Sequence, residues 1–112
     1  MIMAKGKINV LGTEYTVTVR TEAEDRVLRD KADGYCDKTT KSIVLLDLNE
    51  DNSDLGDKEA YMKKVLRHEI THAFLLESGL DECTNWEREQ TVDWFAYQGP
   101  KIYEAWRKAG AI

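Results

Sequence analysis

The spacing of hydrophobic residues changes halfway along the chain, from a period of two to a period of about 3.6 residues. Between residues 8 and 19, apolar and polar side chains alternate on either side of residues 11–13, which predicts one or two β-strands around a turn. Residues 35–48 predict a hairpin whose strand-like ends are joined across the polar stretch 37–41. The stretch 22–32 fits either a short helix or a loop.

Helical periodicity begins after a polar loop over residues 49–56. Asp57 is a suitable N-cap, and Gly79 fits the position just after a helix end. These two residues predict a helix over residues 58–78, with an apolar stripe that includes both histidines of the chain.

A second helix is predicted to begin at Thr84, whose spacing to Glu87 matches a capping box, and to run to about residue 98. Gly99 then breaks the pattern, and Pro100 begins a short third helix because proline is favoured in a first helical turn. Strands followed by helices are typical of an α+β domain. We therefore expect a small antiparallel or mixed N-terminal β-sheet packed on the long helix, with two further helices after it.

The composition is that of a small acidic protein. The 112 residues include 16 basic and 21 acidic side chains, a formal net charge of −5, which gives no electrostatic footprint for nucleic acid or an anionic membrane. The longest apolar run, residues 43–46, is too short to span a bilayer, and two cysteines do not suggest a disulfide framework. We expect residues 1–112 to form one cytoplasmic domain, with neither nucleic acid nor membrane as a partner.

The candidate chemistry lies in the long predicted helix, which contains His68-Glu69-Ile70-Thr71-His72. Two histidines four residues apart share one helix face, so both imidazoles can reach a single cation at ~2.0–2.1 Å. Glu69 lies about 100° further around the helix, where it can reach a water at the metal's open position. Since a bound metal lowers the pKa of its water toward ~7, and a nearby carboxylate can accept and return a proton, the motif indicates metal-assisted amide hydrolysis. The plainer alternative is a pair of core histidines.

A catalytic zinc site needs a third protein ligand and leaves its fourth position to water. No other histidine exists in the chain, so the candidates are acidic residues or a cysteine. The simplest assignment makes Glu89 the ligand and Asp93 the hydrogen-bond acceptor for the free N–H of His68 or His72. Other residues that stay open as the third ligand are Glu87, Asp93 and Cys83. Manganese, iron or nickel also stay open, because such ligands do not select strongly among these metals.

The predicted strand over residues 42–48 is a candidate for substrate binding. If it lies beside the metal site, its unpaired edge can bind an extended peptide by strand addition. The alternative is an ordinary core strand, and the sequence does not decide between the two.

With these motifs the chain resembles the zincin metallopeptidases, in particular the gluzincins, whose pattern is H-E-x-x-H followed by Glu-x-x-x-Asp on a later helix. The two parts correspond here to residues 68–72 and 89–93. More narrowly, the chain is similar to small ImmA/IrrE-type peptidases and related phage or prophage proteins. Those proteins carry a His-Glu-Ile-x-His helix and then a helix with Glu-x-x-small-x-x-Phe-Ala, which corresponds to residues 89–96, with Val92 in place of the small residue.

The resemblance covers residues 34–98 and implies a minimal zincin-like fold, with zinc held by His68, His72 and Glu89 and with Glu69 as general base. It implies a zinc metalloendopeptidase that hydrolyses a peptide bond in a specific protein partner through a metal-activated water. Members of this kind cleave transcriptional repressors, so a repressor is one candidate substrate. We expect a monomer that acts in the cytoplasm, which is the host cytoplasm if the protein is phage-encoded. The alternatives are a catalytically inactive zinc-binding phage or prophage regulator that acts by protein binding, and a metal-free structural protein.

Overall fold

The computed structural model describes residues 5–48, 56–85 and 88–112. Its strands form one sheet and are β1 (Lys5–Val10), β2 (Thr13–Arg20), β3 (Gly34–Asp37) and β4 (Ser42–Leu46). Its helices are α1 (Arg26–Lys31), α2 (Lys58–Ser78), α3 (Leu80–Cys83) and α4 (Glu89–Lys108). The predicted α+β class is confirmed. No helix among these residues has the length and apolar character needed to cross a membrane.

The sheet is mixed, with the strand order β1-β2-β4-β3. Strands β1 and β2 pair antiparallel, β2 and β4 pair parallel, and β3 and β4 pair antiparallel. The β1–β2 turn places Leu11 and Gly12 at φ angles of 51° and 93°, and two successive positive φ angles are typical of a type I′ hairpin turn. The turn expected between residues 8 and 19 and the hairpin predicted over residues 35–48 are therefore confirmed.

Of the two alternatives for the strand that begins at Ser42, the structure shows the ordinary core strand and not the unpaired edge. Strand β4 pairs with β2 on one side and with β3 on the other. Its residues Ile43, Val44, Leu45 and Leu46 are all buried, as in a strand that is covered on both faces of the sheet. The strand at this edge of the sheet is β3.

Two clusters of buried side chains hold α2 against the sheet. The first consists of Val10, Tyr15, Val17, Ile43, Leu45, Val65 and Ala73. The second consists of Leu28, Val44, Leu46, Leu48 and Met62. Because Val65 and Ala73 lie on either side of the H-E-x-x-H segment, packing immobilises the part of α2 that carries the candidate chemistry.

The C-terminal end of α2 is tied to the sheet through Glu77. Its carboxylate accepts hydrogen bonds from Thr13 Oγ1 at 2.8 Å, from Tyr15 Oη at 2.7 Å and from Lys41 Nζ at 2.7 Å. These donors, with Lys41 the strongest, lower the pKa of Glu77 to about 2. The carboxylate is therefore ionised across the physiological range and links α2 to β2 and to the turn between β3 and β4.

The helix predicted to begin at Thr84 begins at Glu89 as α4. Thr84 is the C-cap residue of α3, and its hydroxyl donates to the Leu80 carbonyl at 2.6 Å. Glu87, the other half of the predicted capping box, lies outside the described residues.

The predicted break at Gly99 is also wrong, because α4 continues through Pro100 to Lys108. Proline has no N–H, so the carbonyl four residues earlier, that of Ala96, loses its helical partner. Arg67 Nε on α2 donates to this carbonyl at 2.6 Å. A contact from outside the helix thus satisfies the carbonyl that Pro100 leaves unpaired. The two helices expected after α2 are present as α3 and α4, with bounds other than those predicted.

Candidate metal centre

Helices α2 and α4 bring the candidate residues together by packing antiparallel. His72 contacts Glu89, and His68, one turn earlier on α2, contacts Asp93, one turn later on α4. Lys64, a further turn back, lies with its ammonium 4.7 Å from the ring centroid of Tyr97. Each turn toward the N-terminus of α2 therefore meets the next turn toward the C-terminus of α4.

Three residues converge with the spacing of a metal site. His68 Nε2 lies 3.0 Å from Glu89 Oε2, His72 Nε2 lies 2.8 Å from Glu89 Oε1, and the two Nε2 atoms are 3.2 Å apart. In a tetrahedral site with metal–ligand bonds of ~2.0–2.1 Å, two ligand atoms lie roughly 3.3 Å apart. His68, His72 and Glu89 can therefore hold one metal ion.

Asp93 contacts the other nitrogen of the His68 ring. Its Oδ1 lies 3.0 Å from His68 Nδ1 and 3.0 Å from Lys64 Nζ. Partial burial alone raises the pKa of Asp93, but hydrogen bonds from Lys64 and His68 outweigh burial and hold the pKa below its ordinary value. Because an ionised carboxylate can only accept, His68 Nδ1 donates to Asp93, and Nε2 is the ring nitrogen that faces Glu89 and His72.

Lys64 is a cation held among aromatic and acidic groups. Its side chain is 14% exposed, and its ammonium lies 5.3 Å from the ring centroid of Tyr61 and 4.7 Å from that of Tyr97. Both ring faces favour a cation, and the Asp93 carboxylate balances its charge. Asp93 therefore accepts from His68 and also balances the charge of Lys64.

Glu69 is a buried carboxylate, 7% exposed. It lines a cavity of about 620 Å³ together with His68, His72 and Glu89. A second cavity, of about 200 Å³, shares Glu69, His68 and Glu89 with the first. The converging nitrogens, the Glu89 carboxylate and Glu69 thus belong to one cleft that extends to both sides of the candidate metal centre.

Strand β3 forms the wall of this cleft opposite α2, and sequence reasoning missed it. Asp33 O accepts from Leu46 N at 2.8 Å, and pairing alternates along an antiparallel ladder, so the main-chain groups of Gly34 and Cys36 point away from β4. Gly34 and Cys36 both line the larger cavity. The signal that could have identified β3 as the edge was the continuous apolar run 43–46, which is typical of a central strand.

Glycine at position 34 lets β3 approach the metal-site helix closely. A Cβ atom built on Gly34 would lie 2.8 Å from Val65 Cγ1 and 3.1 Å from the Val44 carbonyl oxygen. No larger side chain fits at this point without a shift of β3 or α2. The width of the cleft at the candidate metal centre therefore depends on this residue.

Of the other candidates for the third ligand, the structure describes the side chain of Asp93 alone. Asp93 faces Nδ1 of His68 rather than the two Nε2 atoms. Glu87 and the side chain of Cys83 lie outside the described residues. Among the side chains that are described, the group that can hold a metal consists of His68, His72 and Glu89.

Comparison of the chain with protein-family models, with curated proteins and with solved structures gave no match. The resemblance to the zincins therefore rests on the two motifs in residues 34–98. The tertiary structure adds the convergence of those motifs on one cleft.

Proposed function

We propose that this protein is a zinc-dependent metallopeptidase that hydrolyses a peptide bond in a protein or peptide substrate. The observation that carries the proposal is the convergence of His68 Nε2, His72 Nε2 and the Glu89 carboxylate in a cleft that buried Glu69 also lines. A structural metal site has no need of an additional buried carboxylate or of an adjoining cavity of about 620 Å³.

The donor set suits zinc. Two imidazoles and one carboxylate are the three protein ligands of one common class of catalytic zinc site, which leaves a fourth position open. The hydrogen bond from His68 Nδ1 to Asp93 is the outer contact that orients a metal-bound imidazole in such sites. When bound, zinc polarises a substrate carbonyl and lowers the pKa of a water toward ~7.

We assign Glu69 the role of general base and then general acid. It accepts a proton from a water in the cleft as the water oxygen bonds to the scissile carbonyl carbon. It returns this proton to the nitrogen as the C–N bond breaks, so that an amine and a carboxylic acid leave. Packing on both sides of the motif, at Val65 and Ala73, keeps the Glu69 main chain from moving during these transfers.

We assign the binding of an extended substrate to the outer edge of β3. The main-chain groups of Gly34, which point away from β4, can pair with a peptide by strand addition. Because the two cavities share Gly34, His68, Glu69 and Glu89, a peptide that occupies both has the candidate metal centre at its middle rather than at its end. This favours an endopeptidase.

The first test is metal content per chain, measured by elemental analysis on untagged protein. We expect about one zinc in the wild type and its loss in His72→Ala and in Glu89→Ala. Zinc retained in Glu89→Ala would mean that a residue other than Glu89 is the third ligand. No metal in the wild type after reconstitution with zinc would contradict the proposal and favour the metal-free structural alternative.

The second test separates a peptidase from a zinc-binding regulator. Glu69→Gln should keep zinc and lose cleavage of a fluorogenic library of unstructured peptides by about 10²–10⁴-fold, the contribution expected of a positioned acid–base group. Glu59→Gln is the matched control, because Glu59 lies on the same helix and pairs with Lys63 on the exposed surface. Bound zinc without cleavage that depends on Glu69 would overturn the peptidase assignment and leave the non-catalytic regulator.

A further inference from the structure

Pro100 lies inside α4 and leaves one buried carbonyl without a helical partner. Ala96, four residues earlier, is fully buried, so water cannot replace the missing N–H. Arg67 Nε donates to the Ala96 carbonyl oxygen at 2.6 Å. A buried carbonyl without a partner is costly, so α4 is most stable where the Arg67 side chain reaches Ala96.

The position of Ala96 connects this bond to the candidate metal centre. Glu89, Asp93 and Ala96 are spaced i, i+4 and i+7 along α4, so they share one face of the helix. On α2, Arg67 directly precedes His68. The bond therefore joins the two helices one turn from Asp93 and two turns from Glu89.

Other contacts near the centre also hold α4 on α2. Among the described side chains of α4, Val92 and Ala96 are buried, and Tyr97 lies beside Lys64. The ion-pair contacts there are made by Glu89 and Asp93 themselves, which are the groups that need to be positioned. Arg67 contributes a directional bond that uses none of the converging ligand atoms.

We propose that Arg67 is a positioning residue for the metal site. It bonds to the carbonyl that Pro100 leaves unpaired, and this bond holds α4 in the register that brings Glu89 and Asp93 to the histidines. The proposal rests on the metal site of the proposed function. It predicts that the contribution of Arg67 to zinc binding depends on the residue at position 100. Alanine there restores an N–H that pairs with the Ala96 carbonyl within α4 in the usual helical pattern. Without Arg67, the register that brings Glu89 and Asp93 to the histidines then no longer leaves a buried carbonyl unpaired.

The experiment measures zinc affinity by competition with a chromophoric chelator in four proteins: the wild type, Arg67→Met, Pro100→Ala and the double variant. We expect Arg67→Met to bind zinc about tenfold more weakly, at the lower end of the 10–100-fold losses seen when contacts behind the ligands are removed. Pro100→Ala should bind as the wild type does, and the double variant should lie within about twofold of Pro100→Ala. Arg107→Met is the matched control, because Arg107 bonds to Glu104 within α4.

Cobalt substitution distinguishes positioning from a general loss of stability. A merely structural role would lower the unfolding temperature of the metal-free protein and leave the visible absorption of bound cobalt unchanged. Positioning predicts that Arg67→Met weakens the intense bands of four-coordinate cobalt and that Pro100→Ala restores them. If Arg67→Met does not fold, a double variant that binds zinc more weakly than Pro100→Ala still overturns the proposal, because both keep the Ala96 carbonyl paired.

Two outcomes overturn the role of Arg67 and leave the metal site standing: unchanged zinc affinity in Arg67→Met, or weakened affinity that Pro100→Ala does not restore. A wild-type protein that binds no zinc overturns the proposed function itself. The two failures are therefore distinguishable within one set of measurements.

Discussion

Replacing Asp93 by asparagine tests two contacts that share one oxygen atom. Asp93 Oδ1 accepts from His68 Nδ1 and from Lys64 Nζ, each at 3.0 Å. An amide oxygen accepts more weakly than a carboxylate and no longer fixes the His68 tautomer. We expect zinc affinity to fall about 10–100-fold, which is about 1.4–2.7 kcal/mol.

The same substitution should also lower the stability of the metal-free protein. It leaves the Lys64 ammonium without its carboxylate while the Lys64 side chain stays only 14% exposed. A hydrogen bond to a charged group contributes about 1.5–3 kcal/mol. Because Asp93 is 38% exposed and the rings of Tyr61 and Tyr97 still face the cation, we reduce this to about 1 kcal/mol.

Lys64→Met is the variant that separates the two effects. It removes the cation and leaves Asp93 to accept from His68 alone, so we expect zinc affinity within about twofold of the wild type. Zinc affinity would be measured by chelator competition, and stability by urea unfolding of the metal-free proteins. Wild-type zinc affinity in Asp93→Asn would refute the idea that this carboxylate orients His68.

Two further predictions concern the scaffold. Because hydrogen bonds lower the pKa of Glu77 from 4.5 to about 2 in the folded protein, its stabilising contribution is complete above about pH 4.5 and is lost as pH falls toward 2. The urea midpoint of Glu77→Gln should therefore lie below that of the wild type at pH 7, and the two should converge near pH 2. Gly34→Ala should destabilise the protein by about 1–3 kcal/mol through overpacking against Val65. Gly99→Ala, where an added Cβ meets no atom within 4 Å, should be neutral or stabilising by up to ~1 kcal/mol. Both glycine variants would be measured by urea unfolding.

Each scaffold prediction has an outcome that contradicts it. A constant difference between Glu77→Gln and the wild type from pH 7 to pH 2 would mean that the carboxylate is not held ionised by its three donors. Equal stability of Gly34→Ala and Gly99→Ala would mean that β3 does not lie close against α2.

The fold could be predicted where local chemistry decides the structure. Asp57 and Gly79 predicted a helix over 58–78, and α2 spans Lys58–Ser78, because capping depends on side-chain and main-chain groups within a few residues. Strands β1 and β2 followed from the alternation of apolar and polar residues on either side of the turn at Leu11 and Gly12. The stretch 22–32 stayed ambiguous because the N-cap of α1, Asp25, is held in part by Arg20 and Tyr35, which lie outside that stretch.

The predictions that failed depended on residues far apart in the sequence. Gly99 and Pro100 are a genuine local signal for a helix break, and a donor 29 positions away from Ala96 overrides it. The apolar run of β4 predicted a strand but did not reveal which neighbours would pair with it. Its central position follows from a parallel pairing with β2 that no local pattern specifies.

The residues of the candidate site also fall into those that the local sequence predicted and those that depend on contacts between distant parts of the chain. The spacing of His68 and His72 places both imidazoles on one helix face wherever that helix is formed, because 3.6 residues make one turn. Glu89 was reached by elimination and Asp93 by its spacing from Glu89, with Glu87 and Cys83 left open. The sequence thus determined the pair of histidines, the adjacent carboxylate and the helix that carries them. Only the antiparallel docking of α4 on α2 decided which carboxylate meets the histidines and which strand borders the cleft, because those contacts join residues that are neighbours in space and not in the chain.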